Sequence, residues 1–401
     1  MKLLYLHQYF TFPQYSGGTR SYDLSKEFVK KGIDVTIITS NAKMPDLDMN
    51  KRWTYLEQEG VKLWILRCKY NHKMSIFRRI LSFFEFVYFT SVKVVRLESD
   101  LMLATSTPLT IAIPAIIKKK ISKTPYVFEV RDVWPEGPIQ QGYVKNKFII
   151  SILRGIEKYI YKGASYVVPL SVGMKRDILS RVFIDRIEVI PNISEILRFE
   201  DLSNKVDLDF DYKGKRIILY AGTLGPVNDI MYIAKLASAT LVKEPSIVYL
   251  IIGDGKQKKQ IVEYCKKKNN TLNKNIFFMD PISKNALPYV YHLATMGSSF
   301  VWNYKIKWDN SANKFFDTLA AGRPVLINYQ GWQADVIREK ECGFVLPYEP
   351  TDIEIQQFVD FVINDELVRK SGENAKVAAE DYSLDVAVRK YVNIFSDVLL
   401  K

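Results

Sequence analysis

The sequence predicts an α/β protein built from two Rossmann-like domains that face each other across a cleft. Three observations carry that expectation. The chain has 401 residues, enough for two domains at roughly 100–200 residues each. Short β-branched and aromatic runs alternate with longer helical patterns, the signature of parallel sheets covered by helices. Near the middle the alternation is interrupted: Pro191-Asn192 ends a strand, a charged irregular stretch runs through Gly214, and a new strand begins at Arg216. Such a stretch reads as a linker. The expected organisation is a first domain at 1–195, a second at 196–380, and a terminal helical segment at 381–401.

The strands expected in the first half are Lys2–Tyr9, Asp34–Thr39, Val61–Leu66, Leu101–Ala104, Tyr126–Val130, Tyr166–Pro169 and Ile187–Ile190. In the second half they are Arg216–Tyr220, Ile247–Ile252, Ile276–Met279, Gly297–Val301, Pro324–Ile327 and Phe344–Leu346. Helical periodicity fills intervals such as Ser21–Lys31, Ile233–Val242 and Asn313–Ala321, and a last helix is expected near Leu384–Leu399. In parallel sheets of this kind ligands bind at the carboxyl ends of the strands.

Composition narrows the function classes. Apolar residues make up 48% and charged residues 25%, the balance of a globular chain rather than a disordered one. Three cysteines, odd in number and far apart, imply neither a disulfide framework nor a metal-binding pair. The histidines are His7, His72 and His292, so no zinc site is expected. No run of about 18 charge-free apolar residues would span a membrane, and the opening residues do not form a signal peptide. The expected location is cytoplasmic. The net charge of +13 is uneven: residues 1–200 carry 31 Lys+Arg against 19 Asp+Glu, and residues 201–401 carry 26 against 25. The basic half should meet something anionic, or serve solubility alone. No DNA or RNA module is recognisable.

Several segments carry chemistry. Gly17-Gly18-Thr19 follows the first strand and opens a helix, with Arg20 beside it. Glycines there admit a phosphate to free N–H groups; a tight strand–helix turn has the same sequence. Asp309-Asn310-Ser311-Ala312-Asn313-Lys314-Phe315-Phe316-Asp317 is the richest segment. Ser311 is the expected N-cap. Asn313, Lys314 and Asp317 then share a helical face for a diphosphate and a ribose. Gly222-Thr223-Leu224-Gly225 and Gly253-Asp254-Gly255 are strand-end turns on the ligand side, with Asp254 read as a turn residue or N-cap. Glu129-Val130-Arg131-Asp132-Val133-Trp134-Pro135-Glu136 gathers three carboxylates and an arginine at another strand end. There Arg131 and Asp132 either orient a substrate hydroxyl or form a structural ion pair. Asp46-Leu47-Asp48 and Asp207-Leu208-Asp209-Phe210-Asp211 look like metal-clamp repeats but read as acidic loops. Residues 76–89 mix Arg78 and Arg79 with many aromatics and suit either a membrane interface or a buried helix.

Taken together, these motifs resemble the retaining family-4 glycosyltransferases of the GT-B fold, especially the bacterial branch that builds O-antigen and capsule repeats and includes N-acetyl-L-fucosamine transferases. The resemblance rests on Gly17-Gly18-Thr19-Arg20, Thr105-Ser106-Thr107-Pro108-Leu109, Glu129 to Glu136, Ile190-Pro191-Asn192, Tyr220-Ala221-Gly222, Ile252-Gly253-Asp254-Gly255 and Asn313 to Pro324. It implies that the first domain faces the acceptor and the second binds the nucleotide sugar. The Gly17-Gly18 loop would approach the donor diphosphate, Asp317 the ribose, Asp309 to Ala312 the donor sugar, and the backbone near Ile282 the base. The terminal helix would cross back to the first domain. The family's paired glutamates fall on Asp309 and Asp317, and the Arg and Lys that many members place on the diphosphate fall on Thr223 and Asn228. Charge compensation would then come from Lys314, Arg20, Arg131 or helix N-termini.

The implied activity is transfer of a sugar, expected to be N-acetylated and UDP-linked, to a polyprenyl-diphosphate-linked saccharide, with retention and without metal or cofactor. Partners would be the donor, that acceptor and an anionic membrane surface, with the chain peripheral on the inner face of the cell membrane; nucleic acid is not expected. The competing readings are an isomerase resembling UDP-N-acetylglucosamine 2-epimerases and a non-catalytic nucleotide-sugar-binding protein.

Overall fold

The apolar runs form two sheets. The computed structural model describes residues 1–68, 76–140, 142–267 and 270–400. The chain divides into two units, the first comprising Met1–Phe12, Thr19–Pro191 and Leu384–Lys401, and the second Pro13–Gly18 and Asn192–Ser383. The change-over after Pro191 falls a few residues before the expected 195. Pro13–Gly18, expected in the first domain, groups with the second because the backbone N–H groups of Lys284 and Asn285 donate to the carbonyls of Tyr15 (3.0 Å) and Pro13 (3.2 Å).

The first unit's sheet contains β1 (Lys2–Leu6), β2 (Asp34–Ser40), β3 (Trp53–Gln58), β4 (Val61–Leu66), β5 (Leu101–Thr105), β6 (Tyr126–Val130) and β7 (Tyr166–Pro169), in the order β3-β4-β2-β1-β5-β6-β7. Neighbours are parallel except β3, which runs antiparallel to β4. Every residue of β5 and β6 is buried, as a parallel sheet covered on both faces requires. β3 has no counterpart in the sequence reading. It is a half-open edge strand, reached through a turn at Glu59-Gly60, both at positive φ. Glu-Gly is a weaker hairpin signal than Asn-Gly or Asp-Gly. Ile187–Ile190 does not become a strand. A single bridge joins Ile187 to Val167, and Pro191, with no N–H to offer, ends the approach.

Right-handed crossovers fix which helices share a face. The helix Arg20–Lys30 links β1 to β2 on one side. The helices Ile76–Arg96, Ala112–Ser122 and Lys147–Gly163 lead toward β5, β6 and β7 on the other. The C-terminal helix Leu384–Leu399 joins the first side, where Phe28 packs edge-on against Phe395 (5.3 Å) and Tyr391 (5.9 Å). Among the described residues no helix is long and apolar enough to cross a membrane.

Beneath that helix lies a buried ion pair. Arg20 Nε donates to Glu129 Oε1 at 2.8 Å, and both side chains are almost fully buried. Arg20 Nη1 and Nη2 donate to the carbonyls of Pro191 (2.6 Å) and Ile190 (3.2 Å). Tyr391 donates to Glu129 at 2.6 Å, and the Thr105 hydroxyl bonds its other oxygen. Burial alone would push the Glu129 carboxyl up, but Arg20 and Arg131, with the two hydroxyls, hold it well below the usual range, at about 2.

The second unit's sheet contains β8 (Arg216–Ala221), β9 (Ile247–Ile252), β10 (Ile276–Met279), β11 (Met296–Ser299), β12 (Val325–Ile327) and β13 (Gly343–Val345). All run parallel in the order β10-β9-β8-β11-β12-β13. The carboxyl ends of β8, β9 and β10 therefore lie side by side.

Breaking a buried pair by removing one partner typically costs about 3–5 kcal/mol. Glu129→Leu should lower unfolding free energy by about that much in urea titration, and Arg20→Met/Glu129→Leu should recover most of it. Because the folded pKa of Glu129 is depressed, its stabilisation is present above the ordinary carboxylate value of 4.5 and is lost as pH falls toward about 2. The double variant should show a smaller acid destabilisation over that window.

Candidate active site

In the second unit two glycine turns interlock at the strand ends. Gly222 N–H donates to Ile252 O (2.9 Å), Gly253 N–H to Met279 O (3.0 Å) and Leu224 N–H to Asp254 O (2.9 Å). A Cβ on Gly253 would lie 1.9 Å from the Gly222 carbonyl oxygen, and Gly253 sits at φ +151°. Only glycine permits that approach. Asp254 is a turn residue, its Oδ1 accepting from Gly255 N–H at 2.8 Å. Asn228 lies beside the loop and donates to Thr223 O at 2.8 Å, while Tyr220 OH donates to the same carbonyl at 3.0 Å. Thr223 and Asn228, at the positions where the resemblance would imply basic side chains, thus shape a backbone loop.

The helix Asn313–Ala320 faces these turns. Phe315, Phe316 and Leu319 are buried in the core. Ser311 is not its N-cap. The cap position is Ala312, which has no capping side chain, and Ser311 Oγ instead accepts from Asn192 N–H at 3.0 Å. Asn192 Nδ2 also donates to Ser311 O. Ser311 therefore joins the chain's entry into the unit to the helix start. Asn310 makes the turn: its Oδ1 accepts from Ala312 N–H (2.9 Å), and its carbonyl from Trp332 Nε1 (2.9 Å). Asp309 ends the short helix Lys305–Trp308. The N–H groups of Asn313 and Lys314, in the first turn, lie outside the helix's own ladder.

Lys314 projects its ammonium over the Tyr220 ring, 5.1 Å from the centroid. A Cβ on Gly222 would sit 3.3 Å from Lys314 Nζ, so the bare glycine makes room for the cation. Among the described residues no carboxylate forms an ion pair with it, although Asp317 acts at longer range. Burial, partly offset by Asp317, lowers its pKa to about 8. It is a cation held at a strand end with little to neutralise it.

Asp317 is not open. Both its oxygens accept from Lys284 Nζ at 2.6 Å, and both side chains are buried. Lys284 follows β10 two residues after Ile282, and its backbone holds the Pro13–Gly18 segment through Tyr15. The sequence reading missed Lys284. Its position after the β10 turn was readable, but its pairing with a carboxylate one helix away was not. Gly17, at φ +128°, and Gly18 belong to this same connected segment.

In the first unit the expected roles change. Arg20, expected to meet the diphosphate, directs its donors to Glu129, Ile190 and Pro191 inside the core. Arg131 and Asp132 form no ion pair among the described residues. Arg131 N–H donates to Ser106 Oγ (2.9 Å), and exposed Asp132 accepts from Thr107 Oγ1 (3.0 Å). Glu136 is paired with Arg154 at 2.7 Å. His7 is buried against Ser21 Oγ (2.8 Å), and burial together with Arg131 lowers its pKa to about 3. His72 lies outside the described residues, as does the side chain of Arg79.

Comparison with known proteins agrees with this two-unit layout. Residues 17–193 match the glycosyl transferase 4-like domain and residues 209–378 match glycosyl transferases group 1. Two uncharacterized glycosyltransferases of Methanocaldococcus jannaschii are 25% and 24% identical over 53% and 63% of this chain. The matches span 51% and 63% of those relatives' own lengths. Among solved structures, sucrose-phosphate synthase from Thermosynechococcus elongatus superposes with TM-score 0.75 at 13% identity, covering 100% of this chain and 99% of that one. Anabaena HepE in complex with UDP-glucose gives 0.70 at 14% identity, covering 99% and 100%. These likenesses are of fold, the GT-B fold of two Rossmann-like domains. Joining a glycosyl transferase 4-like domain to a group 1 domain, the chain belongs to the glycosyltransferases.

Proposed function

We propose that this glycosyltransferase moves an N-acetylated sugar from a UDP donor to a hydroxyl of a polyprenyl-diphosphate-linked saccharide, with anomeric retention, in O-antigen or capsule synthesis. The observation that carries the donor half is Lys314, a partly desolvated ammonium beside the Gly222 turn with no carboxylate bonded to it among the described residues. A diphosphate supplies the missing counter-charge, and the first-turn N–H groups of Asn313 and Lys314 add to it. Asp317, fixed by Lys284, accepts from ribose hydroxyls, and backbone near Ile282 meets the base. Asp309, Asn310, Ser311 and Ala312 approach the donor sugar. In the first unit, Arg131 and Asp132 orient the acceptor. The lipid-linked acceptor places the chain on the cytoplasmic face of a membrane, and the basic first unit suits an anionic surface there. HepE has been solved with UDP-glucose, and another neighbour, WaaG, is described as acting in lipopolysaccharide biosynthesis; both are consistent with this reading.

The chemistry follows from charge. The bond from the anomeric carbon to the leaving phosphate oxygen breaks, and the acceptor oxygen bonds the same face. The leaving phosphate takes the acceptor proton. Lys314 and the helix N-terminus stabilise the departing diphosphate, so catalysis is largely positioning and electrostatics, with no metal required.

The discriminating assay incubates UDP-linked N-acetylated sugars with and without a polyprenyl-diphosphate saccharide. Transfer only with the acceptor is expected; an epimer from donor alone would favour the isomerase, and binding without turnover the non-catalytic reading. Chelator treatment should leave the rate unchanged. Lys314→Met should lower kcat about 100-fold at saturating donor, the scale of losing one key oxyanion donor. Lys314 loses its charge as pH rises through about 8, so kcat/KM for donor should fall above that pH. Lys314→Arg should move this limb upward. Lys284→Met removes the ammonium that both Asp317 oxygens accept from and so frees the carboxylate's orientation. Donor KM should rise about tenfold, with kcat changed less.

A further inference from the structure

The helix Lys147–Gly163 buries one face and leaves a second apolar face uncovered. Glu157, Ile160 and Tyr161 point inward. Phe148, Ile149, Ile152, Ile156 and Tyr159 are exposed, Phe148 at 74%. At 100° per residue these five fall within about a third of the helix circumference. The helix Ile76–Arg96 repeats the arrangement with exposed Leu81, Phe84, Tyr88 and Val92. Between them runs the helix Ala112–Ser122, packed on both and on the same side of the sheet. Two helices that each turn a row of large apolar side chains to solvent mark an interaction surface.

Cations border this face. Lys119, Lys120, Lys123 and Lys162, with Tyr126 and Tyr159, line a groove of about 420 Å³ where the helices Ala112–Ser122 and Lys147–Gly163 end. Lys119 Nζ donates to Gly163 O at 2.8 Å. Lys120 lies over the Tyr159 ring at 5.7 Å. Among the described residues none of the four is ion-paired with a carboxylate. A face covered by a second copy of the chain would bring these four cations against the same cations. An anionic bilayer matches both halves: aromatic and aliphatic side chains enter the headgroup boundary while lysines meet phosphates.

We propose that this face of the first unit lies on an anionic bilayer, with the lysine groove holding the phosphate of a lipid headgroup. The inference deepens the membrane partner of the proposed function and moves its centre from residues 76–89 to the helix Lys147–Gly163. Lysine stems cover apolar surface while their charges reach the phosphate plane.

Co-sedimentation of the full chain with phosphatidylcholine vesicles, with and without phosphatidylglycerol, tests it. Binding should require phosphatidylglycerol and weaken with salt. Lys120→Gln/Lys123→Gln/Lys162→Gln, which spares the structural Lys119, should weaken binding about a hundredfold. Ile152→Ser/Ile156→Ser should also weaken it, including at low salt. If the isoleucine variant melts early, the lysine variant decides alone, since its three side chains are on the surface. No binding to phosphatidylglycerol vesicles at low salt overturns the proposal, as does binding that the lysine variant leaves unchanged. A vesicle-free dimer in sedimentation equilibrium that Ile152→Ser/Ile156→Ser dissociates would assign the face to a second copy and overturn it too. The assay needs no donor, so retained UDP binding alongside failed vesicle binding would sink this inference and leave the transferase reading intact.

Discussion

The first unit depends on one buried ion pair. Arg20 and Glu129 meet at 2.8 Å with almost no solvent contact, an arrangement that survives only if every remaining donor and acceptor is satisfied. The carbonyls of Ile190 and Pro191 accept from the guanidinium, and the hydroxyls of Thr105 and Tyr391 donate to the carboxylate. Each partner comes from a different element: the first helix, β5, β6, the exit of the unit and the terminal helix. The pair thus specifies how these elements register, a role that nonspecific apolar packing leaves open.

In the second unit the organising constraint is steric. The Gly222 and Gly253 turns approach so closely that neither a side chain nor an ordinary φ is allowed at Gly253. That proximity exposes backbone at a strand end and leaves space for Lys314. The Lys284–Asp317 pair anchors the opposite edge and, through Tyr15, holds the glycine-rich segment. Three sequence-distant pieces become one surface because short backbone bonds and one buried salt bridge tie them together.

How much of this was legible in the sequence follows from the range of each interaction. Periodicity found nearly every parallel strand and the terminal helix, because burial on both faces leaves a local apolar signature. It missed β3, whose half-open edge residues give a weaker pattern. Local chemistry identified Asp254 as a turn residue. Ser311 was misread as a cap because Asn192, far away in sequence, competes for its hydroxyl. Arg20 looked like a phosphate ligand beside a glycine turn; nothing local announced that Glu129, 109 residues away, would claim it. Lys284 and the outward face of the helix Lys147–Gly163 were missed for the same reason. Both depend on what the fold places beside them, or leaves absent.

The terminal helix has a consequence for how the protein is made. Tyr391 bonds to Glu129 across 262 residues of chain, and Phe28 awaits Phe395 on the same helix. Synthesis proceeds at about 5–20 residues per second, so the entire second unit is translated, over roughly 10–40 seconds at that pace, before the first can close its core. During that interval the nascent first unit holds a half-satisfied Arg20–Glu129 pair and an uncovered aromatic surface. The chain's discontinuous wiring therefore makes its N-terminal portion a late finisher, complete only when the last helix has been made.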